Sequence, residues 1–142
     1  MKSTISKYYE RYNPNPAGNE TGDCIIRALC KITDRDWLSI YDDLCKLGRE
    51  KYTPFTSLDM DYLFVYYYKF KKHKVIRQRG KKALTVETFC KQYPHGSHIL
   101  RLAHHVIAVV DGKYHDIYPC WDKKTVYTYY EYPANKWGKS ND

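Results

Sequence analysis

No stretch of this sequence stays apolar long enough to cross a bilayer. The longest apolar runs, YLFVYYY and VIAVV, fall far short of the ~20 residues a spanning helix requires. The opening MKSTISKYYERYNPNP has no apolar h-region, so no export signal is read there, and a soluble chain in the cytoplasm with no membrane partner is expected. No C-x-x-C pair occurs among the cysteines at 24, 30, 45, 90 and 120. An odd number of thiols at such spacings suggests neither a disulfide framework nor a zinc site, so free thiols and no metal or cofactor are expected. No internal repeat or low-complexity linker divides the 142 residues, which match the usual length of one domain. Acidic residues are outnumbered, 16 against 24 Lys and Arg, giving a formal charge of +8. That balance favours encounter with anionic partners without specifying a fold. The 16 tyrosines serve cores, interfaces and base stacking alike, so their number assigns no function.

The chain divides into a helical first half and a strand-rich second half. Residues 1–22 read as a loop segment, with Pro14, Pro16 and Gly18 among asparagines. Thr21 or Asp23 then caps a helix with apolar positions Ile25, Ile26, Leu29 and Ile32. Asp34 or Asp36 caps a second helix, where Trp37, Ile40, Tyr41, Leu44 and Leu47 form an apolar stripe before Gly48. Thr56 or Ser57 starts a third through LDMDYLFVYYYKF. Thr85 starts a short fourth through VETFCKQY, stopped by Pro94 and Gly96.

The period then changes to two. SHILRLA, HVIAVV, KYHDIYP and TVYTYYEY have strand composition, and Asp111-Gly112 is a hairpin turn signal. The expected class is α+β, with N-terminal helices followed by a C-terminal antiparallel sheet.

Cys24, at the start of the first helix, has two readings. As a nucleophile it needs a lowered pKa, which a helix N-terminus and a nearby imidazolium supply; the amides of the first turn can also hold an oxyanion. As packing it is a small buried apolar residue, and Asp23 beside it opposes a thiolate if both side chains point the same way. Cys30, Cys45, Cys90 and Cys120 have no helix N-terminus.

His105 opens the buried run HVIAVV, a rigid place from which to hold a ring. Alternation sends its neighbour His104 to the other face. With Asp111 and Gly112 as a two-residue turn, Val110 opposes Lys113, Val109 opposes Tyr114, and Ala108 opposes His115. Asp116 then shares a face with Ile107 and His105, within reach of the imidazole. A longer loop would bring Asp122 forward instead. A carboxylate so placed fixes the tautomer and orientation of an imidazole; the bland alternative is an exposed residue at the sheet edge.

The chain order Cys, His, Asp, with the cysteine starting a helix and the others on later strands, resembles the papain-like cysteine peptidase fold. NPNPAGNETGDCIIRAL, DWLSIYDDL, TVETFCKQYPHGSHIL and HHVIAVVDGKYHDIY resemble, more closely, a group of small phage and bacterial proteins with a GDCxxRAL motif and a later HVxAVVDG motif. The likeness runs from about residue 13 to residue 130. It implies Cys24 as nucleophile, His105 as base, Asp116 as orienting acid, and an oxyanion donor upstream, where Asn19 stands and Asn13 or Asn15 is the alternative. It further implies thiol hydrolysis or acyl transfer on a peptide or isopeptide bond, in a bacterial host cell if the chain is phage-encoded. The sequence departs from papain in GDCII, which lacks the small and aromatic residues that flank the papain nucleophile.

One charged run stands apart. KFKKHKVIRQRGKK, residues 69–82, holds eight Lys or Arg after YLFVYYY. It reads either as a solvated linker or as a binding segment in which Lys71, Lys72, Lys74, Arg77 and Arg79 meet nucleic acid or an acidic protein surface. In the second reading the chain is a non-catalytic binder that engages nucleic acid or a host nucleic-acid-processing complex.

Overall fold

The computed structural model describes residues 5–133 of the chain; the remainder of the single domain expected over 1–142 lies outside the described residues. The class is mixed α+β. Strand β1 (Tyr9–Arg11) precedes helices α1 (Cys24–Thr33) and α2 (Trp37–Lys51), a 3-10 turn over Phe55–Ser57 and a π-helix over Tyr62–Tyr67. Strand β2 (Lys71–Lys74), helix α3 (Val86–Gln92), and strands β3 (Ser97–Leu102), β4 (His105–Val110), β5 (Lys113–Asp116) and β6 (Thr128–Tyr132) follow.

The six strands form one sheet in the order β1-β5-β4-β3-β6-β2. It is buried on both faces. Ile99, Val106, Ala108 and Tyr130 pack with α1, α2 and the π-helix on one side. Leu100, Leu102, Ile107, Val109 and Tyr114 pack with Val86 and Phe89 of α3 on the other. Alternation along β3 and β4 thus feeds two cores from one sheet.

The sheet departs from the expected antiparallel meander. Strand β1, inside the segment expected to be a loop, pairs parallel with β5, Tyr9 beside Tyr114 and Arg11 beside Asp116. Four residues of the expected basic linker fold as β2, an antiparallel edge strand against β6. Local composition is silent on both. Three residues carrying Glu and Arg, and four carrying three lysines, become strands because a partner strand distant in sequence offers them a ladder.

The hairpin follows the expected register. Val110 pairs with Lys113, Val109 with Tyr114 and Ala108 with His115. Asp111 and Gly112 both take positive φ, 50° and 77°, as a type I′ turn demands of its two central residues. A second tight turn joins β3 to β4, where Leu102 pairs with His105 and His104 sits in the turn at φ 58°. His104 is therefore exposed at a corner and is not strand-borne as expected.

Among the helices, Asp36 and Thr85 act as the expected caps, accepting from the backbone N–H of Ser39 and Thr88. The third helix starts later than expected. Asp59 accepts from the Tyr62 N–H at 2.9 Å, after Thr56 and Ser57 are spent in the 3-10 turn and Leu58 turns extended. Gly48 does not stop α2, which runs on to Lys51 and closes at Tyr52 with φ 57°. The glycine is required for another reason: a Cβ at 48 would lie 2.7 Å from the Thr53 carbonyl oxygen and 3.2 Å from the Phe55 nitrogen.

An ordinary mid-helix Gly→Ala exchange stabilises by about 1 kcal/mol. At Gly48 the contacts are backbone atoms that cannot swing aside, so Gly48→Ala is expected to destabilise the fold by about 1–3 kcal/mol in urea unfolding. A stabilised variant would show that the chain after α2 yields freely.

Candidate active site

The site forms where the N-terminus of α1 meets the ends of β4 and β5. Cys24 is the first residue of α1 and is half-buried. His105, at the start of β4, is 12 % exposed in its side chain, and Asp116, at the end of β5, only 1 %. The imidazole Nε2 lies 2.9 Å from Asp116 Oδ2. An ionised carboxylate only accepts, so Nε2 carries the hydrogen and Nδ1 is left for a second partner. The Cys24 thiol interacts with the same imidazole and with the Val106 backbone, and both interactions stabilise its thiolate form.

Asp116 is held from every side. Arg27 Nη1 donates to Oδ1 at 2.7 Å, while Trp121 Nε1 donates to Oδ2 at 2.6 Å. Its backbone carbonyl accepts from the Tyr12 N–H and the Tyr9 hydroxyl, at 3.0 and 2.9 Å, so β1 fixes the strand end from which the carboxylate projects. Trp121 also stacks on His105, ring centroids 4.4 Å apart and 21° between planes. An aromatic face over an imidazole favours its cationic form.

Asp23 does not oppose a thiolate at Cys24, because its carboxylate turns away. Oδ1 accepts from Arg27 Nη2 at 2.7 Å, and Oδ2 from Trp37 Nε1 at 2.8 Å and Asn15 Nδ2 at 3.4 Å. Asp23 consequently makes no side-chain cap on α1, and the first-turn amides beside Cys24 keep their donors free of it.

These contacts set the protonation states. Burial pushes the Cys24 thiol up, but the hydrogen bonds to His105 and Val106 and the charges of His105 and Arg27 more than offset it, so its pKa falls below the ordinary thiol value. Burial pushes His105 down, and hydrogen bonds to Asp116 and Cys24 reverse this, raising it to about 9. Burial likewise raises Asp116, which its bonds to His105 and the charges of His105 and Arg27 hold below the usual carboxylate range. Lowering the thiol and raising the imidazole both shift the pair toward thiolate and imidazolium. By contrast, burial drives Cys30 and Cys90 up to about 12.

The structure therefore brings Cys24, His105 and Asp116 together. Asn19 is exposed on the preceding loop, where its backbone carbonyl accepts from Asn13 Nδ2 at 3.2 Å. Asn15 is engaged with Asp23. Asp122 serves elsewhere, accepting from the hydroxyls of Ser6 and Tyr114 at 2.6 Å each. Arg27, Trp37 and Trp121 are the residues sequence reasoning missed. The Asp23–Arg27 spacing of four, typical of a helical ion pair, was the one available signal.

A cavity of about 260 Å³ opens beside Cys24. Trp37, Tyr41, Phe55, Leu58 and Leu63 line it, so its walls are aromatic and aliphatic. Among the described residues no group of three His, Cys, Asp or Glu is placed to hold a metal ion, and no helix is long and apolar enough to cross a membrane. Comparison with protein-family models, curated proteins and solved structures found no significant match.

Alkylation by iodoacetamide is expected to reach Cys24 well below pH 8, while Cys30 and Cys90 stay unlabelled. Cys120 is exposed and should label as the accessible reference thiol. His105→Ala removes the largest of the groups that offset burial and should move the Cys24 midpoint up. Timed mass spectrometry reads this directly, and Cys24 labelling no faster than Cys120 at pH 6–7 would contradict a lowered pKa.

Asp116→Ala should do more than disorient a ring. It leaves the Arg27 guanidinium buried without one of its two carboxylates, which costs about 3–5 kcal/mol. Asp116→Asn keeps the volume and part of the hydrogen bonding, so its loss in chemical unfolding should be smaller. Equal, small losses for both variants would mean that the Arg27–Asp116 pair contributes little.

Proposed function

We propose that this chain is a papain-like thiol hydrolase or acyl transferase acting on a peptide or isopeptide bond, with Cys24 as nucleophile, His105 as acid and base, and Asp116 as the residue that positions the ring. The observation that carries the reading is the Asp116–His105 hydrogen bond, with the Cys24 thiol at the start of α1 in interaction with the same ring. A half-buried thiol whose pKa is lowered by a specific imidazole, itself raised by a specific carboxylate, is the pattern of an activated nucleophile.

The steps follow from the protonation states. The Cys24 thiolate attacks the substrate carbonyl, forming a C–S bond and an oxyanion. The backbone N–H groups at the start of α1 are the donors available to that oxyanion, and Asn19 is a further candidate donor. The proton on His105 Nδ1 passes to the departing amine as the C–N bond breaks, leaving a thioester on Cys24. Water, or an acceptor amine in the transferase case, gives its proton to His105 while attacking the thioester, and Cys24 leaves as thiolate. Throughout, Asp116 holds the Nε2 hydrogen and the charge of the imidazolium. The cavity beside Cys24 suits a bulky apolar side chain on the acyl portion of the substrate.

Fluorogenic peptide and isopeptide amides test the reading. Turnover is expected for substrates with Phe, Leu or Tyr near the scissile bond, falling by about a thousandfold or more in Cys24→Ala and His105→Ala. Activity should require both the thiolate and the imidazolium, so its alkaline limb should lie near pH 9, where His105 loses its proton. A protein that turns over no amide, and whose Cys24 takes up no peptide vinyl sulfone, would exclude the proposal.

A further inference from the structure

The basic run at 69–82 is folded in a way that bears on what it binds, independently of the chemistry at Cys24. Lysines 72 and 74 lie on one face of β2 and Lys71 and His73 on the other. Lys72 is tied to Asp61 at 2.6 Å. On the opposite side of the sheet edge the chain after β2 runs beside α3 and encloses a groove of about 630 Å³. Arg77, Lys81, Lys82 and Lys123 rim it, and Val75, Ile76 and Leu84 give it apolar surface. Glu87 is the acidic residue in its lining and is paired with Lys123 at 3.0 Å. Arg77, Lys81 and Lys82 have no carboxylate partner among the described residues, and Arg77 is steadied by an Nε–H bond to the Lys81 carbonyl at 3.3 Å. Ile76, in the midst of this charge, is 80 % exposed.

A second groove, of about 430 Å³, lies past the C-terminus of α3 and is lined by His73, Tyr93, His95 and Tyr129, with Glu131 as its acidic residue. His73 lies flat on Tyr129, ring centroids 4.7 Å apart and 14° between planes. One face of the imidazole is thus covered by tyrosine, its Nε2 is 2.9 Å from Glu131 Oε1 at the ring edge, and the side chain is 29 % exposed. Val75 and His73 on one continuous segment, and Gln92 and Tyr93 on another, join the two grooves.

Unpaired cations around apolar surface, continuing into a shelf of flat rings, complement an anionic backbone that carries planar apolar groups. The geometry points to a single-stranded nucleic-acid site, with the backbone phosphates along Arg77, Lys81 and Lys82 and an unstacked base against His73. A duplex keeps its bases stacked away from such recessed rings. An acidic peptide answers the cations but leaves the ring shelf without a role. The site differs from the sequence expectation: Lys72 is engaged with Asp61, Lys74 shares its face, and the weight shifts to Arg77, Lys81 and Lys82.

Fluorescence anisotropy with labelled dT12 and rU12, between 50 and 200 mM NaCl, is the test. The full chain should bind at least one oligonucleotide, with affinity falling more than about tenfold over that range. Arg77→Gln/Lys81→Gln/Lys82→Gln should reduce the log–log salt slope by about 2, at about 0.7 per phosphate contact, and Lys81→Gln alone by about 0.7. His73→Ala should weaken binding about fivefold or more at every salt concentration with the slope unchanged. Cys24→Ala should bind as the unaltered chain does, which separates this site from the proposed chemistry. No binding of either strand at 50 mM salt, a slope indifferent to the substitutions, or displacement by poly-glutamate together with an indifferent His73→Ala would each overturn the inference, the last in favour of an acidic peptide.

Discussion

A guanidinium buried to 2 % exposure has to be met by carboxylates, and Arg27 is met by two. Asp23, four residues before it on the helix, takes one nitrogen, and Asp116, 89 residues away on β5, takes another. An uncompensated charge in that position would cost several kcal/mol. The pairing therefore locks the first turn of α1 against the end of the sheet, and everything at the site depends on that registration. It turns the Asp23 carboxylate away from Cys24, sets Asp116 opposite His105, and places a positive charge near the thiol.

The two tryptophans extend the same constraint. Trp37, from the start of α2, satisfies the second oxygen of Asp23, and Trp121 satisfies the second oxygen of Asp116. Each carboxylate is thus held by donors on both oxygens, which fixes its position. Asp23 acts structurally, although its sequence neighbour is Cys24. Asp116 acts on His105, which passes the effect to Cys24. The difference between them lies in which groups their oxygens face.

Much of this was legible in the sequence, for identifiable reasons. A two-residue Asp-Gly turn fixes the register of the strands beside it, so the juxtaposition of His105 and Asp116 could be counted from the turn outward. The amphipathic stripe of α2 and the Thr85 cap are equally local. The long-range partners were not legible: Arg27 looks like an interruption of an apolar helix until Asp116 is placed beside it, and Trp121 follows a loop whose path composition does not dictate. β1 and β2 escaped for the same cause, since their stability comes from ladders with β5 and β6 rather than from their own residues. Gly48 had a local meaning, a helix stop, that the close return of Thr53 replaces.

The central claim is that a thiolate and an imidazolium coexist at Cys24 and His105 near neutral pH. Nitrogen-15 NMR of the His105 ring over pH 5–10 tests it most directly. The account predicts a doubly protonated ring through neutrality, titrating near pH 9, with the midpoint falling in Cys24→Ala as the ring loses its anionic neighbour. A His105 that loses its proton at or below about 6.5, indifferent to removal of the thiol, would contradict it.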